Sequence, residues 1–247
     1  MCYGDDARPP LPPVRGGADD HGDITLTAAD GTTFGAYYAH PNQPSERGMV
    51  VLPDVRGLHP FYKELAQRFA EAGMHSIAID YFGRTAGIGD RGEDFPFREH
   101  VQQMKPESTN QDIAAGTEWL RGLNNGTVTS TFTIGFCMGG AISWGQSATD
   151  LNLAGCIGFY GVPARTIDRV PRMTAPLLLL VAGADFTPLS EFENFDKVLA
   201  EAGVPHEMCV YDGAPHSFFD RAFAEHAEAC DDAWRRILAF VDAHGHG

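Results

Sequence analysis

From Gly48 onward, short apolar runs alternate with segments of helical spacing, and this alternation limits the folds open to the chain. The first run, GMVVLP, has the composition of a strand that is buried on both faces. A helical stripe from Tyr62 to Ala72 follows it and stops at Gly73, which is a typical helix C-cap. Six such strand–helix alternations predict an α/β fold, with a mostly parallel central sheet and helices on both faces.

Two runs, DITLTAA and TTFGAYYAH, precede this pattern and flank Asp30-Gly31. An Asp-Gly pair between such runs is a strong hairpin signal, so an antiparallel N-terminal hairpin is expected at one edge of the sheet. Residues 1–21, which contain RPPLPP and GGADDHG, are expected to form an irregular arm. Residues 22–247 are then expected to form one domain, since an α/β domain can reach this length without splitting.

The alternation of strands and helices continues along the chain, with one long exception. The later strands are predicted at HSIAIDYF, TFTIGF, AGCIGFY, PLLLLVAGA and HEMCVYDG, and the later helices near residues 112–120, 139–148, 189–202 and 232–243. The stretch from Gly83 to about Pro106 fits neither period and is long for a loop in a compact domain. It is therefore interpreted either as a functional lid or as a surface excursion.

The charge of the chain restricts its partners. A formal net charge of −15 argues against nucleic acid or an anionic membrane, because both require a basic face. A small-molecule substrate fits better, and an anionic one would need local arginines to overcome the overall field. A monomer or a weak homo-oligomer is expected.

The cysteines and the N-terminus indicate a compartment. The five cysteines show no CxxC spacing, so neither a zinc site nor a redox motif is predicted. The segment from Met1 to Gly17 has no apolar core typical of a signal peptide, and no stretch reaches membrane-spanning length. Free thiols in a reducing cytoplasm are the simplest expectation.

The segment TFTIGFCMGGAISWG is the most informative for chemistry. An apolar strand runs into Gly135-Phe136-Cys137-Met138-Gly139, and a helical pattern starts at once, which is the G-x-nucleophile-x-G arrangement with Cys in place of Ser. The chain must turn sharply there, and a Cβ at either flanking glycine would crowd the turn. The helix dipole is expected to lower the pKa of the Cys137 thiol. The alternative is a buried core cysteine beside a glycine-rich helix start.

A thiol nucleophile needs a base within hydrogen-bond reach, and the base in turn needs an orienting acid. Asp185 follows the strongly apolar strand PLLLLVAGA, and His216 lies in a Gly/Pro loop after the next strand. This chain order, nucleophile then acid then His, is typical of the nucleophile-elbow arrangement. His216 would take the thiol proton, and Asp185 would hold its tautomer. A helix N-cap is the alternative for Asp185, and Asp212 is interpreted as a turn residue.

These features resemble the dienelactone hydrolase family over roughly Asp23 to Ala243. The resemblance is carried by GFCMGG around Cys137, AGADFTP around Asp185 and APHSFF around His216, in that order. Cys in the elbow is its specific part. The resemblance implies an α/β-hydrolase fold and a cofactor-free hydrolase that acts on lactones or small esters.

The resemblance also implies roles for residues outside the three central ones. Asp54 stands where the family keeps an acidic residue near the resting thiol, with a polar strand end as the alternative. The backbone N–H groups of Val55 and Met138 resemble the family's oxyanion hole. Arg84 resembles the arginine that holds a substrate carboxylate.

Two further positions, Tyr160 and Arg221, are candidate substrate-binding residues. Tyr160 is a candidate for lining an aromatic pocket, together with Tyr81, Phe82, Phe95 and Phe97. The alternative is that these five residues pack in the hydrophobic core. The family's second arginine follows the catalytic His closely, and Asp220 stands at that place here. Arg221 comes one residue later and is the remaining candidate.

The sequence therefore predicts a lactone or small-ester hydrolase of the carboxymethylenebutenolide type that works through a Cys-His-Asp triad and a thioester. A general small-ester carboxylesterase without preference for anionic lactones is the alternative enzyme. A non-catalytic binding module that kept the fold is an alternative of another class, and slow alkylation of Cys137 without turnover would distinguish it. A redox sensor at Cys137 is a further alternative, although no resolving thiol is evident in the sequence.

Overall fold

An eight-stranded sheet forms the centre of the molecule in the computed structural model, which describes residues 6–14, 16–123, 126–220 and 224–245. The strands are β1 (Ala18–Thr27), β2 (Thr33–Pro41), β3 (Arg47–Leu52), β4 (His75–Ile79), β5 (Ser130–Phe136), β6 (Gly155–Phe159), β7 (Leu177–Ala184) and β8 (His206–Pro215). Their order across the sheet is β1-β2-β4-β3-β5-β6-β7-β8. All neighbours from β4 to β8 pair in parallel, as the alternation predicted.

Helices cover both faces of this sheet. They are α1 (Pro60–Glu71), α2 (Gly83–Ala86), α3 (Phe97–Val101), α4 (Pro106–Arg121), α5 (Met138–Gln146), α6 (Leu189–Glu201) and α7 (Ala227–His244). The apolar sides of α1 and α7 pack on one face, whereas α4, α5 and α6 pack on the other. The fold class is confirmed. Within the described part of the chain, no helix combines the length and the apolarity that a membrane crossing requires.

The N-terminal hairpin is confirmed and extends further than expected. β1 pairs antiparallel with β2, and Gly31 in the connecting turn has φ +84°. β1 already begins at Ala18, inside the segment that was expected to be irregular. Its first residues pair with His40 and Pro41. Such pairing uses backbone groups and needs no apolar alternation, so the polar sequence did not reveal it.

The order of the central strands determines where a ligand can bind. From β3 the chain crosses to β4 on one side, and it later returns to β5 on the other side of β3. The connections that leave the carboxyl ends of β3 and β5 therefore diverge, and open α/β sheets bind ligands in the crevice at such a point. The loop after β3 contains Asp54 and Val55, and the turn after β5 contains Cys137.

The segment from residue 83 to 106 is anchored by a buried ion pair. It contains the short helices α2 and α3, and the guanidinium of Arg91 lies 2.8 Å from the Asp80 carboxylate. Both side chains are almost fully buried, and Arg91 also lies over the ring of Phe95 at 4.6 Å. Burial raises the pKa of Asp80, and the Arg91 charge acts against this shift. The segment is thus an ordered part of the described fold.

We expect Arg91→Met to lower the free energy of unfolding by about 3 kcal/mol, because it leaves a buried carboxylate without its cation. Arg98→Met, an exposed change in the same segment, is the control and should cost at most about 0.5 kcal/mol. Urea unfolding of the two variants measures both values. Equal stability of the two would show that the ion pair does not anchor the segment.

Candidate active site

Cys137 lies at a strained turn between β5 and α5. Its backbone has φ +54° and ψ −115°, a conformation that residues other than glycine rarely adopt. A Cβ at Gly135 would lie 1.9 Å from the carbonyl oxygen of Gly139, and a Cβ at Gly139 would lie 2.2 Å from that of Leu52. The two glycines therefore let the strand, the helix and the loop after β3 approach each other closely, as the sequence predicted.

His216 and Asp185 form a hydrogen-bonded pair at the same edge of the sheet. The Nδ1 atom of His216 lies 2.8 Å from Oδ2 of Asp185. The Asp185 side chain is fully buried, whereas the His216 side chain keeps 15% of its surface exposed. Asp185 is not a helix N-cap, since α6 is capped at Pro188 and Oδ1 of Asp185 accepts from the Thr187 N–H. This geometry can hold one tautomer of the ring, with Nε2 available for proton transfer.

Two aromatic rings contact the imidazole of His216. The ring of Phe186 lies 4.5 Å from that of His216, and the ring of Tyr160 lies 4.8 Å from it. Tyr160 is fully buried, has φ +37° and donates its hydroxyl to Asp220 at 3.2 Å. Phe186 is 71% exposed, which is unusual for a large apolar side chain. Phe186 was not among the residues expected at the site, although its position directly after Asp185 is a signal for it.

The thiol of Cys137 is a weak acid in this environment. Burial and the charge of Asp54 raise its pKa to about 12, and the charges of Asp220 and Asp185 act in the same direction. A hydrogen bond from the Met138 N–H opposes this shift. The expectation of a lowered thiol pKa is therefore wrong, because burial and three carboxylates outweigh the hydrogen bond from the Met138 N–H at the start of α5. The thiol is protonated at neutral pH.

The loop after β3 lies close to the thiol. Asp54 is fully buried, and its Oδ1 accepts a hydrogen bond of 2.8 Å from the Arg56 N–H. The influence of Asp54 on the thiol pKa shows that the two groups are near each other. Val55 follows in the same loop and is partly exposed, and Met138 begins α5. The structure thus brings the expected oxyanion-hole positions to the crevice between β3 and β5.

Arg84 is engaged by the protein's own carboxylates. Its Nε lies 3.0 Å from Oδ2 of Asp112, and its Nη1 lies 2.6 Å from Oδ2 of Asp30. The Arg84 hydrogen bond lowers the pKa of Asp30 to about 2. This corrects the expectation that Arg84 is available for a substrate carboxylate, since two carboxylates already occupy its donors. Arg221, the other arginine considered, lies outside the described residues.

The five candidate residues for an aromatic pocket divide into two groups. Tyr81, Phe82 and Tyr160 are buried in the core, whereas Phe95 and Phe97 are partly buried and pack against it. Tyr81 donates its hydroxyl to the Pro53 carbonyl at 3.2 Å. Tyr81, Phe82 and Tyr160 are therefore core residues, and Tyr160 also contacts His216.

A cavity of about 200 Å³ beside the elbow was not foreseen. Met138, Ile142 and Gln146 line it from α5, at the i, i+4, i+8 spacing of one helix face. Thr166 and Arg169 line it from the turns of 3-10 helix that follow β6. The sequence shows that these three residues share one helix face, but the sequence alone does not show that this face borders a cavity.

Comparison with known proteins agrees with the observed fold and with the family that the sequence resembles. The model of the "Dienelactone hydrolase family" matches residues 34–245. A carboxymethylenebutenolidase from Rhodococcus opacus is 26% identical over 261 residues, with 99% of this chain and 97% of that protein covered. A solved structure of a dienelactone hydrolase-like promiscuous phosphotriesterase from metagenomic libraries superposes with a TM-score of 0.77 at 19% identity. That superposition covers 92% of this chain and 99% of the other, and it shows the same fold.

Because the Asp54 charge raises the pKa of Cys137, we expect Asp54→Asn to lower this pKa below about 12. At a fixed pH between 8 and 9 the variant should react faster with iodoacetamide, since only the thiolate is alkylated. The pH profile of the alkylation rate measures the shift, and Asp94→Asn, an exposed change, is the control. An unchanged profile would show that Asp54 does not act on the thiol.

Proposed function

Because the chain belongs to the dienelactone hydrolase family, we propose that it hydrolyses a lactone or small carboxylic ester with Cys137 as the nucleophile. His216 acts as the base and Asp185 as the group that orients it. The observation that carries this proposal is the partly buried His216–Asp185 hydrogen bond at the sheet edge where Cys137 occupies its strained turn. The effect of the Asp185 charge on the thiol pKa supports the proximity of all three residues.

In the proposed reaction, Nε2 of His216 removes the thiol proton while Sγ of Cys137 attacks the ester carbonyl carbon. Nδ1 carries the proton shared with Asp185, so the tautomer suits a base at Nε2. The tetrahedral oxyanion accepts hydrogen bonds from the backbone N–H groups of Val55 and Met138. His216 then protonates the leaving oxygen, and a thioester on Cys137 remains. Water, deprotonated by His216, hydrolyses the thioester and restores the thiol.

The high pKa of the thiol makes general-base assistance necessary. With a pKa near 12, only a very small fraction of Cys137 is ionised at neutral pH, and an unassisted thiol would be a poor nucleophile. Proton removal during the attack avoids a free thiolate. We propose that the charge of Asp54 keeps the resting thiol protonated. We also propose that Asp54, like the acidic residue of the family, helps the thiol lose its proton when substrate binds.

The general small-ester carboxylesterase stays as the second candidate, and the state of Arg84 favours it. An anionic lactone needs a cation, and the Arg84 donors are occupied by Asp30 and Asp112. Asp220 stands where the family's second arginine is expected, which removes another cation. Kinetics on a dienelactone and on neutral aryl esters would separate the two candidates. Equal or higher kcat/KM for the neutral esters would support the second.

We expect Cys137→Ala to abolish ester hydrolysis while the fold is retained, because the substitution removes the only group proposed to form the acyl intermediate. Cys209→Ala, a change at another partly exposed thiol, is the matched control and should keep wild-type turnover. Release of p-nitrophenol from p-nitrophenyl acetate measures activity, and circular dichroism measures folding. Wild-type turnover in a folded Cys137→Ala protein would refute the assignment.

For Arg84→Met we expect a loss of about 3 kcal/mol in the free energy of unfolding, because Asp112 is buried and would lose its cation. Adding Asp112→Leu should restore much of this loss. If Arg84 instead holds a substrate carboxylate, KM would rise for carboxylate-bearing esters only and stability would change little. Urea unfolding and paired kinetics on charged and neutral esters distinguish these outcomes.

A further inference from the structure

The cavity of about 200 Å³ along α5 is separate from the groups proposed to react. It lies between α5, the start of α4 and the turns of 3-10 helix after β6. Among the residues that the structure describes, none of Cys137, His216 and Asp185 lines it. The apolar part of its wall consists of Val101, Met104, Met138, Ala141 and Ile142. A ligand bound there would therefore be distinct from the group that reacts with the thiol.

Gln146 contributes to this cavity an oxygen that needs a donor. The residue is only 1% exposed, and its Nε2 donates to Oδ1 of Asn110 at 2.9 Å and to the Ile142 carbonyl at 3.3 Å. A backbone carbonyl can only accept, so these bonds fix which end of the Gln146 amide is the nitrogen. The remaining atom, Oε1, has no hydrogen-bond partner among the described residues. A ligand that satisfies it must donate a hydrogen bond.

Thr166 contributes a second polar atom that the fold leaves unused. It is the N-cap residue of the 3-10 helix Ile167–Arg172, but its hydroxyl makes no capping hydrogen bond. The residue is 1% exposed, and within the described part of the chain its Oγ1 has no partner. This oxygen lies close to α5, since a Cβ added at Gly145 would be 3.0 Å from it. A hydroxyl can donate as well as accept, so Thr166 can bind a ligand oxygen.

We propose that this cavity is a second ligand site, which binds a small primary amide on an apolar body. Buried polar groups in native proteins are nearly always hydrogen-bonded, so two unpartnered atoms in one cavity indicate a polar ligand. The ligand N–H donates to Oε1 of Gln146, and the ligand oxygen accepts from the Thr166 hydroxyl. The apolar body packs against Met104, Met138 and Ile142. The proposal does not depend on the proposed hydrolysis.

The size of the cavity and its arginines define the probes. An apolar protein cavity of about 150 Å³ binds benzene, so this one, at about 200 Å³, holds one ring with its amide group. Benzamide is therefore the probe. Arg165 and Arg169 also line the cavity, so an anion is the competing occupant and benzoate tests it. Benzoate and acetophenone keep the ring of benzamide but have no N–H to donate to Gln146.

The test is a titration of the full chain with isotope-labelled methionine methyl groups, followed by NMR. Benzamide should shift the signals of Met104 and Met138, which line the cavity, and leave those of Met49 and Met74, which lie in the core on the other face of the sheet. Benzoate and acetophenone should bind more weakly than benzamide, because neither can donate to Oε1 of Gln146.

Thr166→Val should weaken benzamide binding about fivefold, as expected for the loss of one hydrogen bond. It should not lower the melting temperature, because the hydroxyl has no protein partner to lose. Thr149→Val is the matched control, since the Thr149 hydroxyl donates to the Gln146 carbonyl at 2.7 Å and does not line the cavity. This control should lower the melting temperature and leave benzamide binding unchanged.

Four outcomes would overturn the proposal. They are no binding of benzamide, binding of benzoate at least as tight, benzamide binding that Thr166→Val leaves intact, and a benzamide-dependent rise in KM for p-nitrophenyl acetate, which would place the amide in the catalytic crevice. Absence of ester hydrolysis would contradict the proposed function alone, since the titration does not require turnover. Benzamide binding that shifts Met104 and Met138 and is weakened by Thr166→Val supports the site.

Discussion

The strained turn at Cys137 is the constraint on which the rest of the site depends. The strand and the helix on either side of this residue come so close that a Cβ at Gly135 or Gly139 would overlap backbone atoms. Strain of this kind persists only where the surrounding structure fixes it. Here the parallel pairing of β5 with β3 and β6 fixes the strand, and packing of α5 on the sheet fixes the helix. The sulfur is therefore held at the point where the strand order of the sheet reverses.

The electrostatics of the site oppose a free thiolate. Three carboxylates and burial raise the pKa of Cys137, whereas the hydrogen bond from Met138 lowers it only in part. A nucleophile that stays protonated between turnovers is protected from alkylation and oxidation, because the thiolate is the reactive form. In the proposed mechanism, a protonated thiol makes the reaction depend on His216, which is held by its hydrogen bond to Asp185 and by contacts with two aromatic rings.

The sequence predicts the fold well, and it also predicts that Cys137, Asp185 and His216 follow strands whose ends meet at one edge of the sheet, because both follow from local patterns. Strand–helix alternation determines a parallel sheet, and residues at the carboxyl ends of parallel strands meet at one edge. Other properties depend on distant partners and could not be read locally. Arg84 is neutralised by Asp30 and Asp112, which only tertiary packing brings to it. The pKa of Cys137 depends on loops from separate strands, so reasoning from the helix dipole alone predicted the wrong direction.

The central claim is that the sulfur of Cys137 carries the acyl group during turnover. Rapid acid quench of the protein during hydrolysis of p-nitrophenyl acetate, followed by peptide mass spectrometry, tests it most directly. The account predicts one acetyl group on the peptide that contains Cys137, formed at the rate of the first turnover and absent from the other thiols. Continued turnover with Cys137 unmodified, or an acetyl group that accumulates on another residue at the turnover rate, would contradict it.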